Sequence, residues 1–370
     1  MKSYIIVGAG ILGATTAYRL AKSGAKVTVI DKPGIGQATE AAAGIICPWL
    51  SQRRNKKWYH LAKSGAKMYP ELVQELMNDG QIETGYAQVG ALSLHKEEKK
   101  LLAMQERALK RREDAPEIGE VTLLNASQTK ELVPLIDGGY SSVLVSGGAK
   151  LDGQTFRSAL LNAAQKYGAK VIDGTATLYQ KDNQVLGVYV EKERYEADQV
   201  IATCGAWMNE LLAPLGINFQ STGQKGQLIH LELPGIDSKN WPVIMPPTNQ
   251  SVVPFENHIV IGATHENDKG FDLRVTAGGV QDILTKALDV LPQLADSTLL
   301  ETRVGFRPFT PDFLPVIGPI PGVEGLLVAN GLGSSGLTTG PFVGTQLAKL
   351  ALDEAIEISL EDYDVSGAIE

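Results

Sequence analysis

The sequence is poor in cysteine and carries a deficit of positive charge. Only two of its 370 residues are cysteines, Cys47 and Cys204, and they lie far apart without a CxxC motif. This spacing indicates neither a disulfide framework nor a zinc site, and no metal is expected. The 34 Lys and Arg against 42 Asp and Glu give a formal charge of -8. An acidic balance of this kind argues against a nucleic-acid partner.

Long hydrophobic runs are also missing. No window of 18 apolar residues occurs, so the sequence predicts no transmembrane segment. The apolar residues after Met1 are soon interrupted by glycines and followed by Arg19 and Lys22, without a small-residue cleavage site, which is unlike a secretory signal. A cytoplasmic location is therefore expected.

Glycine, in contrast, is abundant and is concentrated at residues 8 to 13 and 325 to 344. Around the first cluster, residues 4–7 have the apolar character of a buried parallel strand. A helix over 13–23 ending at Gly24 and a second strand over 26–30 complete a βαβ unit of about 30 residues.

The turn in this unit matches GxGxxG through Gly8, Gly10 and Gly13. It follows a strand, opens a helix and has an acidic residue, Asp31, at the end of the next strand, which is the context that dinucleotide binding requires. The glycines permit a tight turn and close backbone approach to a pyrophosphate, and the helix N-terminus favours its negative charge. Asp31 is expected to accept hydrogen bonds from a ribose and disfavours NADP.

Two further small-residue stretches favour FAD over NAD. Residues 36–45 allow close backbone approach to a bulky second part of the ligand. Residues 329–339 join a strand to a helix, whose N-terminus would stabilise the negative charge of a reduced flavin ring. The two glycine clusters are therefore expected to meet one FAD molecule, so both ends of the chain should fold into one domain.

The intervening sequence predicts an interleaved arrangement of two domains. Helices are predicted over 54–78, 95–113, 154–167, 277–291 and 336–353, and β segments over 176–180, 185–190, 197–205, 216–265 and 325–329. The fold class expected is α/β, with a Rossmann-like FAD-binding domain interleaved with an α+β substrate domain built on an antiparallel sheet. The predicted boundaries are 1–80, 148–215 and 302–370 for the first domain, and 81–147 and 216–301 for the second.

Nearly the whole chain resembles the family of FAD-dependent amine oxidoreductases that includes glycine oxidase, D-amino acid oxidase, D-amino acid dehydrogenase and sarcosine oxidase. The resemblance rests on the Gly8–Gly13 fingerprint with Asp31, on residues 39–44, 262–264 and 307–318, and on the turn at 331–338. It implies non-covalent FAD bound by Gly8, Gly10, Ile11, Leu12, Gly13, Asp31, Lys32, Thr39, Ala42, Ala43, Gly44, Ile45, Val171, Gly205, Trp207, Gly333, Ser334, Ser335, Gly336, Leu337 and Thr338.

The same resemblance places Arg307 on the substrate carboxylate, and a guanidinium suits this role because it offers two parallel N–H donors. His265 is expected in the pocket as a second catalytic and substrate-binding candidate. Arg303 shares a strand face with Arg307 and could lie beside it. Ser251 stands where glycine oxidase has a pocket tyrosine, and His265, or Trp49 and Arg53, are candidates to compensate for the missing hydroxyl.

The expected reaction is oxidation of the C–N bond of glycine, sarcosine or a D-amino acid to an imine and 2-oxo acid, with hydride transfer to flavin N5. Oxygen or another electron acceptor would reoxidise the flavin. The alternative is a flavoprotein subunit of a hetero-oligomeric amino-acid dehydrogenase (for a D-amino acid, proline or hydroxyproline) that passes electrons to a partner or quinone. A homo-oligomer is compatible with the sequence.

Overall fold

The computed structural model describes residues 2–370 of the chain. Its strands are β1 Ser3–Val7, β2 Lys26–Asp31, β3 Ile45–Ile46, β4 Tyr86–Gln88, β5 Ala91–His95, β6 Val121–Leu124, β7 Ser141–Val145, β8 Ala149–Leu151, β9 Lys170–Asp173, β10 Ala176–Lys181, β11 Gln184–Val190, β12 Glu193–Glu196, β13 Gln199–Ala202, β14 Thr222–Glu232, β15 Val243–Met245, β16 Ser251–Pro254, β17 His258–Gly262, β18 Thr298–Phe309, β19 Val316–Pro319 and β20 Leu326–Asn330. Its α-helices are α1 Ile11–Lys22, α2 Lys56–Asn78, α3 Glu98–Arg112, α4 Ala126–Leu132, α5 Gly153–Lys166, α6 Met208–Leu212, α7 Ala277–Leu288 and α8 Gly336–Ala351.

A six-stranded sheet joins the two ends of the chain. Its order is β19-β20-β13-β1-β2-β9, and every pair is parallel except β19 with β20. The four residues Tyr4 to Val7 of β1 are all buried, because helices cover the parallel sheet. Helix α1 packs against both α5 and α8. The Rossmann-like α/β arrangement is thus confirmed, and both glycine clusters belong to this one sheet.

An eight-stranded sheet forms the second large layer, in the order β18-β14-β17-β16-β15-β5-β7-β6. The β segment predicted over 216–265 supplies β14 to β17, which pair antiparallel along the chain of neighbours β14-β17-β16-β15. The pair of β15 with β5 is parallel and was not predicted. Two small sheets, β10-β11-β12 and β3-β8-β4, complete the strands.

One continuous cluster of buried side chains links the two large sheets. It contains Leu20 of α1 and Leu347 of α8, and it extends to Val243 and Val253 in the eight-stranded sheet. The packing therefore holds both sheets against a common core.

The helices predicted from apolar spacing are found as α1, α2, α3, α5, α7 and α8, with shifted ends. The short helices α4 and α6 were not predicted, because a few residues carry little periodicity. The predicted domain boundary at 302 falls inside β18, which pairs with β14 from Thr298 to Phe309. The proposed division into two discontinuous domains otherwise stays a prediction. Among residues 2–370, no helix has both the length and the apolar character that crossing a membrane demands.

Candidate cofactor and substrate site

A cavity of about 880 Å³ opens among the glycine turns of the six-stranded sheet and one end of the eight-stranded sheet. Its wall contains most of the residues predicted to bind the cofactor: Gly8, Gly10, Ile11, Leu12, Asp31, Lys32, Thr39, Ala42, Ala43, Gly44, Ile45, Gly205, Trp207, Gly333, Ser334, Gly336, Leu337 and Thr338. Three predicted substrate residues, Ser251, His265 and Arg307, line the same cavity. Residues from distant parts of the sequence therefore meet around a single space.

The first glycine turn presents the N-terminus of α1 to the cavity. Gly8 has a φ of +98°, and a Cβ there would lie 2.6 Å from the Thr203 carbonyl oxygen, so a side chain is excluded. Gly13 lies behind the wall, where a Cβ would collide with the Gly8 carbonyl oxygen, so its role is helix–strand packing. Ile11 and Leu12 begin α1 and line the cavity, and the first N–H groups of a helix are donors with positive potential.

Asp31 at the end of β2 is oriented by two short hydrogen bonds, besides a longer one of 3.5 Å from Nε2 of Gln37. Its Oδ1 accepts from the Ala9 N–H at 3.0 Å, and its Oδ2 accepts from Nη2 of Arg157 at 2.6 Å. Arg157 of α5 also donates from Nε to the Ala9 carbonyl at 2.6 Å and pairs with Glu40 at 3.1 Å. The role of Arg157 at this site was not predicted, because its position in a helix does not indicate a contact with β2.

The second glycine turn lies at the end of β20. Gly331 and Gly333 have φ values of +81° and +56°, and a Cβ on Gly333 would run into the ring of Phe309. Helix α8 begins immediately afterwards, and its first residues, from Gly336 to Thr338, line the cavity. Ser335 is not on the wall and instead accepts a hydrogen bond from Nε1 of Trp58 at 3.0 Å.

The donor set fits FAD. The α1 N-terminus and Asp31 would hold the pyrophosphate and a ribose, as the fingerprint predicts. The α8 N-terminus and the wall from Ala42 to Ile45 would hold the ring. Val171 is paired with Val29 inside the six-stranded sheet and does not line the cavity, whereas Gly174 to Thr177 just after it do. Its adenine contact stays a prediction.

Neither cysteine has the properties expected of a covalent attachment site for FAD. Cys47 is buried and is absent from the cavity wall, and burial raises the pKa of its thiol to about 12. Cys204 lines the cavity, and burial raises the pKa of its thiol to about 12 as well. Neither thiol is activated as a nucleophile, which supports the prediction of non-covalent FAD.

Arg307 of β18 carries a positive charge into the cavity wall without a protein counter-charge. Its Nη1 donates to Oε1 of Gln224 and to the Thr264 carbonyl oxygen, both at 3.0 Å. Within residues 2–370, no carboxylate lies within 4.0 Å of the guanidinium. Burial lowers the pKa of Arg307 to about 10, so the group stays protonated at neutral pH.

The guanidinium has room because the facing strand carries a glycine. A Cβ on Gly226 of β14 would lie 2.7 Å from Nη2 of Arg307. Both N–H groups of Nη1 are used by Gln224 and Thr264, whereas Nε and Nη2 donate to no atom of residues 2–370. Three N–H donors therefore remain for a ligand.

His265 is held by a chain of polar side chains that the sequence did not reveal. Lys286, paired with Asp282 at 2.7 Å, donates to Oδ1 of Asn249 at 3.3 Å. The amide Nδ2 of Asn249 is then directed at Nδ1 of His265, 3.2 Å away. Nδ1 accepts in this arrangement, so the neutral ring carries its hydrogen on Nε2. Burial, and then the charge of Arg307, lowers the pKa of His265 below its ordinary value.

Three residues considered for the substrate pocket, Trp49, Arg53 and Arg303, do not line this cavity. Trp49 is buried but absent from the cavity wall. Arg303 donates to Glu301 at 2.6 Å and to the Glu40 carbonyl at 3.0 Å. It does share a strand face with Arg307, but four residues of a strand span about 13 Å, which separates the two guanidinium groups.

Comparisons with known proteins identify the family of the chain. The family model of FAD dependent oxidoreductases named DAO matches residues 3–350. A Bacillus subtilis (strain 168) protein named "Uncharacterized oxidoreductase YurR" is 58% identical over 371 residues, covering 100% of both chains. A Pseudomonas aeruginosa glycine oxidase is 29% identical and covers 99% of both chains.

Among solved structures, iminodiacetate oxidase from Chelativorans sp. BNC1 superposes with a TM-score of 0.94 at 40% sequence identity, covering 98% of both chains. The match of the family model extends over nearly the whole chain, and it includes both glycine turns and Arg307. The chain is therefore a member of the DAO family of FAD-dependent oxidoreductases.

Proposed function

We propose that the protein oxidises the C–N bond of a small amino acid or secondary amine that carries a carboxylate, with non-covalently bound FAD. The observation that carries this proposal is Arg307, a partly buried cation on the cavity wall with three free N–H donors and no carboxylate of residues 2–370 within 4.0 Å. A buried charge is costly unless it is paired, so a substrate carboxylate is the natural partner.

The protein groups would chiefly bind and orient the substrate. FAD, when bound, would be the two-electron acceptor of the reaction. Gln224 and the Thr264 carbonyl hold Nη1 of Arg307, so the remaining N–H groups are fixed for a bidentate carboxylate contact. This contact would set the position of the α-carbon within the cavity.

His265 would act as a neutral hydrogen-bond donor through Nε2. Its hydrogen bond with Asn249 and its lowered pKa both favour the neutral ring. The substrate loses a hydride from the α-carbon and a proton from its nitrogen, which gives an imine. Water then adds to the imine carbon and the C–N bond breaks, yielding a 2-oxo acid and ammonia or a primary amine.

Anaerobic reduction of the bound flavin tests this function without assuming an electron acceptor. Loss of the oxidised-flavin absorbance is measured with glycine, sarcosine, D-alanine, D-proline and hydroxyproline. Iminodiacetate joins the panel because a relative of 40% identity bears its name. We expect rapid bleaching by at least one compound. Dimethylamine is the matched control for sarcosine, because it keeps the reacting carbon and lacks only the carboxylate group, and it should not bleach the flavin.

Absence of bleaching by every carboxylate-bearing amine would contradict the proposal. A second measurement, hydrogen peroxide formation by the isolated chain in air, identifies the electron acceptor. Peroxide at the rate of substrate turnover indicates an oxidase. Bleaching without peroxide indicates a dehydrogenase that passes its electrons to a partner or quinone.

A further inference from the structure

A second cavity, of about 410 Å³, lies at the N-terminus of α2 and shares no lining residue with the large cavity. Five cationic side chains line it: Arg53, Arg54, Lys56, Arg107 and Arg111. No acidic residue is among its lining residues. The chain as a whole has a formal charge of -8, so a small cavity lined by five cations differs clearly from its average charge.

These charges are not balanced by the protein. Within residues 2–370, none of the five has a carboxylate within the 4.0 Å that defines an ion pair. Asp114 and Glu117 are close enough to act on Tyr59 beside the cavity, but neither lines it. Asp114 is already paired with Lys63 at 2.6 Å. The cavity therefore keeps an excess of positive charge.

Neighbouring groups fix two of the guanidinium groups in place. Nη1 of Arg111 donates to the carbonyl oxygens of Trp49 at 2.6 Å and Ser51 at 2.7 Å, and the group lies 4.5 Å from the centre of the Tyr59 ring. Arg53 lies 4.8 Å from the centre of the Trp58 ring and donates to the Phe313 carbonyl. Rigid donors of this kind lose little entropy when a ligand binds.

Other polar atoms at the cavity are buried without partners. Nε of Arg107 and the hydroxyl of Tyr59 are both inaccessible to solvent and make no hydrogen bond in the described chain. Burial, and then the charge of Arg111, lowers the pKa of Arg107. Buried donors normally have partners, so these two unsatisfied groups add to the uncompensated polarity beside the cavity.

We propose that this second cavity binds a small oxyanion of the phosphate class. Planar guanidinium groups bind such anions through two parallel N–H donors, and the N-terminus of the 23-residue helix α2 adds positive potential. A small ligand is favoured over a polyanionic macromolecule, because the site is a concave cavity in a protein of net negative charge. This site is independent of the proposed substrate and of the FAD site.

Calorimetric titration of the FAD-loaded enzyme with inorganic phosphate tests the proposal, with sodium chloride holding the ionic strength constant. We expect saturable binding of one phosphate per chain. Arg107→Gln and Arg54→Gln should each weaken it at least tenfold. Neither side chain donates a hydrogen bond within the described chain, so both variants should fold, which the flavin absorbance of each variant checks.

The matched control is Lys110→Gln, which removes one exposed positive charge from the same helix as Arg107 without touching the cavity. It should bind phosphate as the wild type does. Phosphate should also raise the melting temperature of the wild type and of Lys110→Gln, but not of Arg107→Gln. A parallel titration with a phosphate monoester identifies the source, since tighter binding than that of phosphate would point to an organic phosphate.

Two results would overturn the proposal. One is the absence of saturable phosphate binding at constant ionic strength. The other is equal weakening by Lys110→Gln and Arg107→Gln, which would show unspecific screening of surface charge instead of a site. Neither result bears on the proposed oxidation, because turnover is measured separately.

Discussion

Arg307 lines the large cavity and Arg157 contacts Asp31 in its wall, and the two arginines differ in whether the protein supplies a carboxylate for their charge. Arg157 is paired inside the protein with Asp31 at 2.6 Å and Glu40 at 3.1 Å. Within residues 2–370, Arg307 donates hydrogen bonds only to the neutral oxygens of Gln224 and Thr264. The first arginine lies on the six-stranded-sheet side of the cavity, and the second lies on the eight-stranded sheet.

The difference indicates a structural role for Arg157 and a ligand-binding role for Arg307. Arg157 uses its charge to orient Asp31 and to close the first glycine turn through the Ala9 carbonyl. Arg307 remains charged, with donors unused, where a substrate can reach it. Loss of Arg157 should therefore affect stability and cofactor binding, whereas loss of Arg307 should affect substrate turnover.

The largest effect is expected from Arg307→Leu. Losing the proposed bidentate contact between the substrate carboxylate and this partly buried charge would cost about 3–5 kcal/mol, or roughly 10²- to 10⁴-fold in kcat/KM. FAD should remain bound, because Arg307 lies on the eight-stranded sheet. Anaerobic flavin bleaching measures the loss, and Arg303→Leu is the matched control from the same strand. Equal losses in both variants would contradict the assignment of Arg307 to the substrate carboxylate.

Arg157→Met should instead destabilise the protein and weaken FAD binding. It leaves Asp31 and Glu40 without their cation, and the side chains of Arg157 and Asp31 are only 19% and 13% exposed. We expect a loss of about 1–3 kcal/mol in the free energy of unfolding. The control is Arg194→Met, which breaks an exposed pair with Glu196 and should cost less than about 1 kcal/mol. Denaturant unfolding with and without FAD would measure both, and similar losses would contradict the comparison.

Asn249→Leu should reduce turnover by a smaller amount. The variant removes one hydrogen bond to His265, worth about 0.5–1.5 kcal/mol, or roughly 2- to 10-fold in kcat/KM. Asn249→Asp places a carboxylate beside the ring and should raise the pKa of His265. Loss of activity on acidification should then begin at a higher pH than in the wild type. Bleaching rates across a pH series check this shift, and identical profiles for wild type and Asn249→Asp would contradict the role assigned to His265.

The smallest effect concerns the acid stability of the eight-stranded sheet. Burial, and then the charge of Arg303, lowers the pKa of His230 from 6.5 to about 4. Between these values the unfolded chain binds a proton that the folded chain does not, so stability should fall as pH drops from 6.5 to 4. His230→Phe keeps the stacking on His258 and removes this titration, so its melting temperature should fall less steeply over that range. Parallel slopes for both proteins would contradict the assignment.

Local patterns predicted the six-stranded sheet well. The strand, glycine turn and helix of residues 4–23 and the strand that follows are consecutive in the sequence, so local spacing was enough to place Gly8, Gly13 and Asp31. The antiparallel segment at 216–265 was also indicated by its alternation, but the parallel pair of β5 and β15 was not. A pairing between segments about 150 residues apart leaves no periodic trace in either.

In the candidate site, too, features set by local sequence were predicted and contacts between distant segments were not. Backbone-determined positions were predicted because glycine is required by the turn itself, as a φ of +98° at Gly8 shows. The side chains that contact the site residues were not predicted. Asn249 and Lys286 lie 16 and 21 residues from His265, in a loop and in α7, and only the packing of α7 beside the sheet brings them to it.

The sequence by itself determined the βαβ unit, the two glycine turns, the FAD-dependent class and the candidacy of Arg307, because these depend on local geometry and on a family pattern. Tertiary structure decided which charges are neutralised. It paired Arg157 with an aspartate 126 residues away, left Arg307 without a carboxylate of residues 2–370 within 4.0 Å, and gathered five cations around a second cavity. The physical reason is that the cost of a buried charge depends on the groups packed around it, which come from distant parts of the chain.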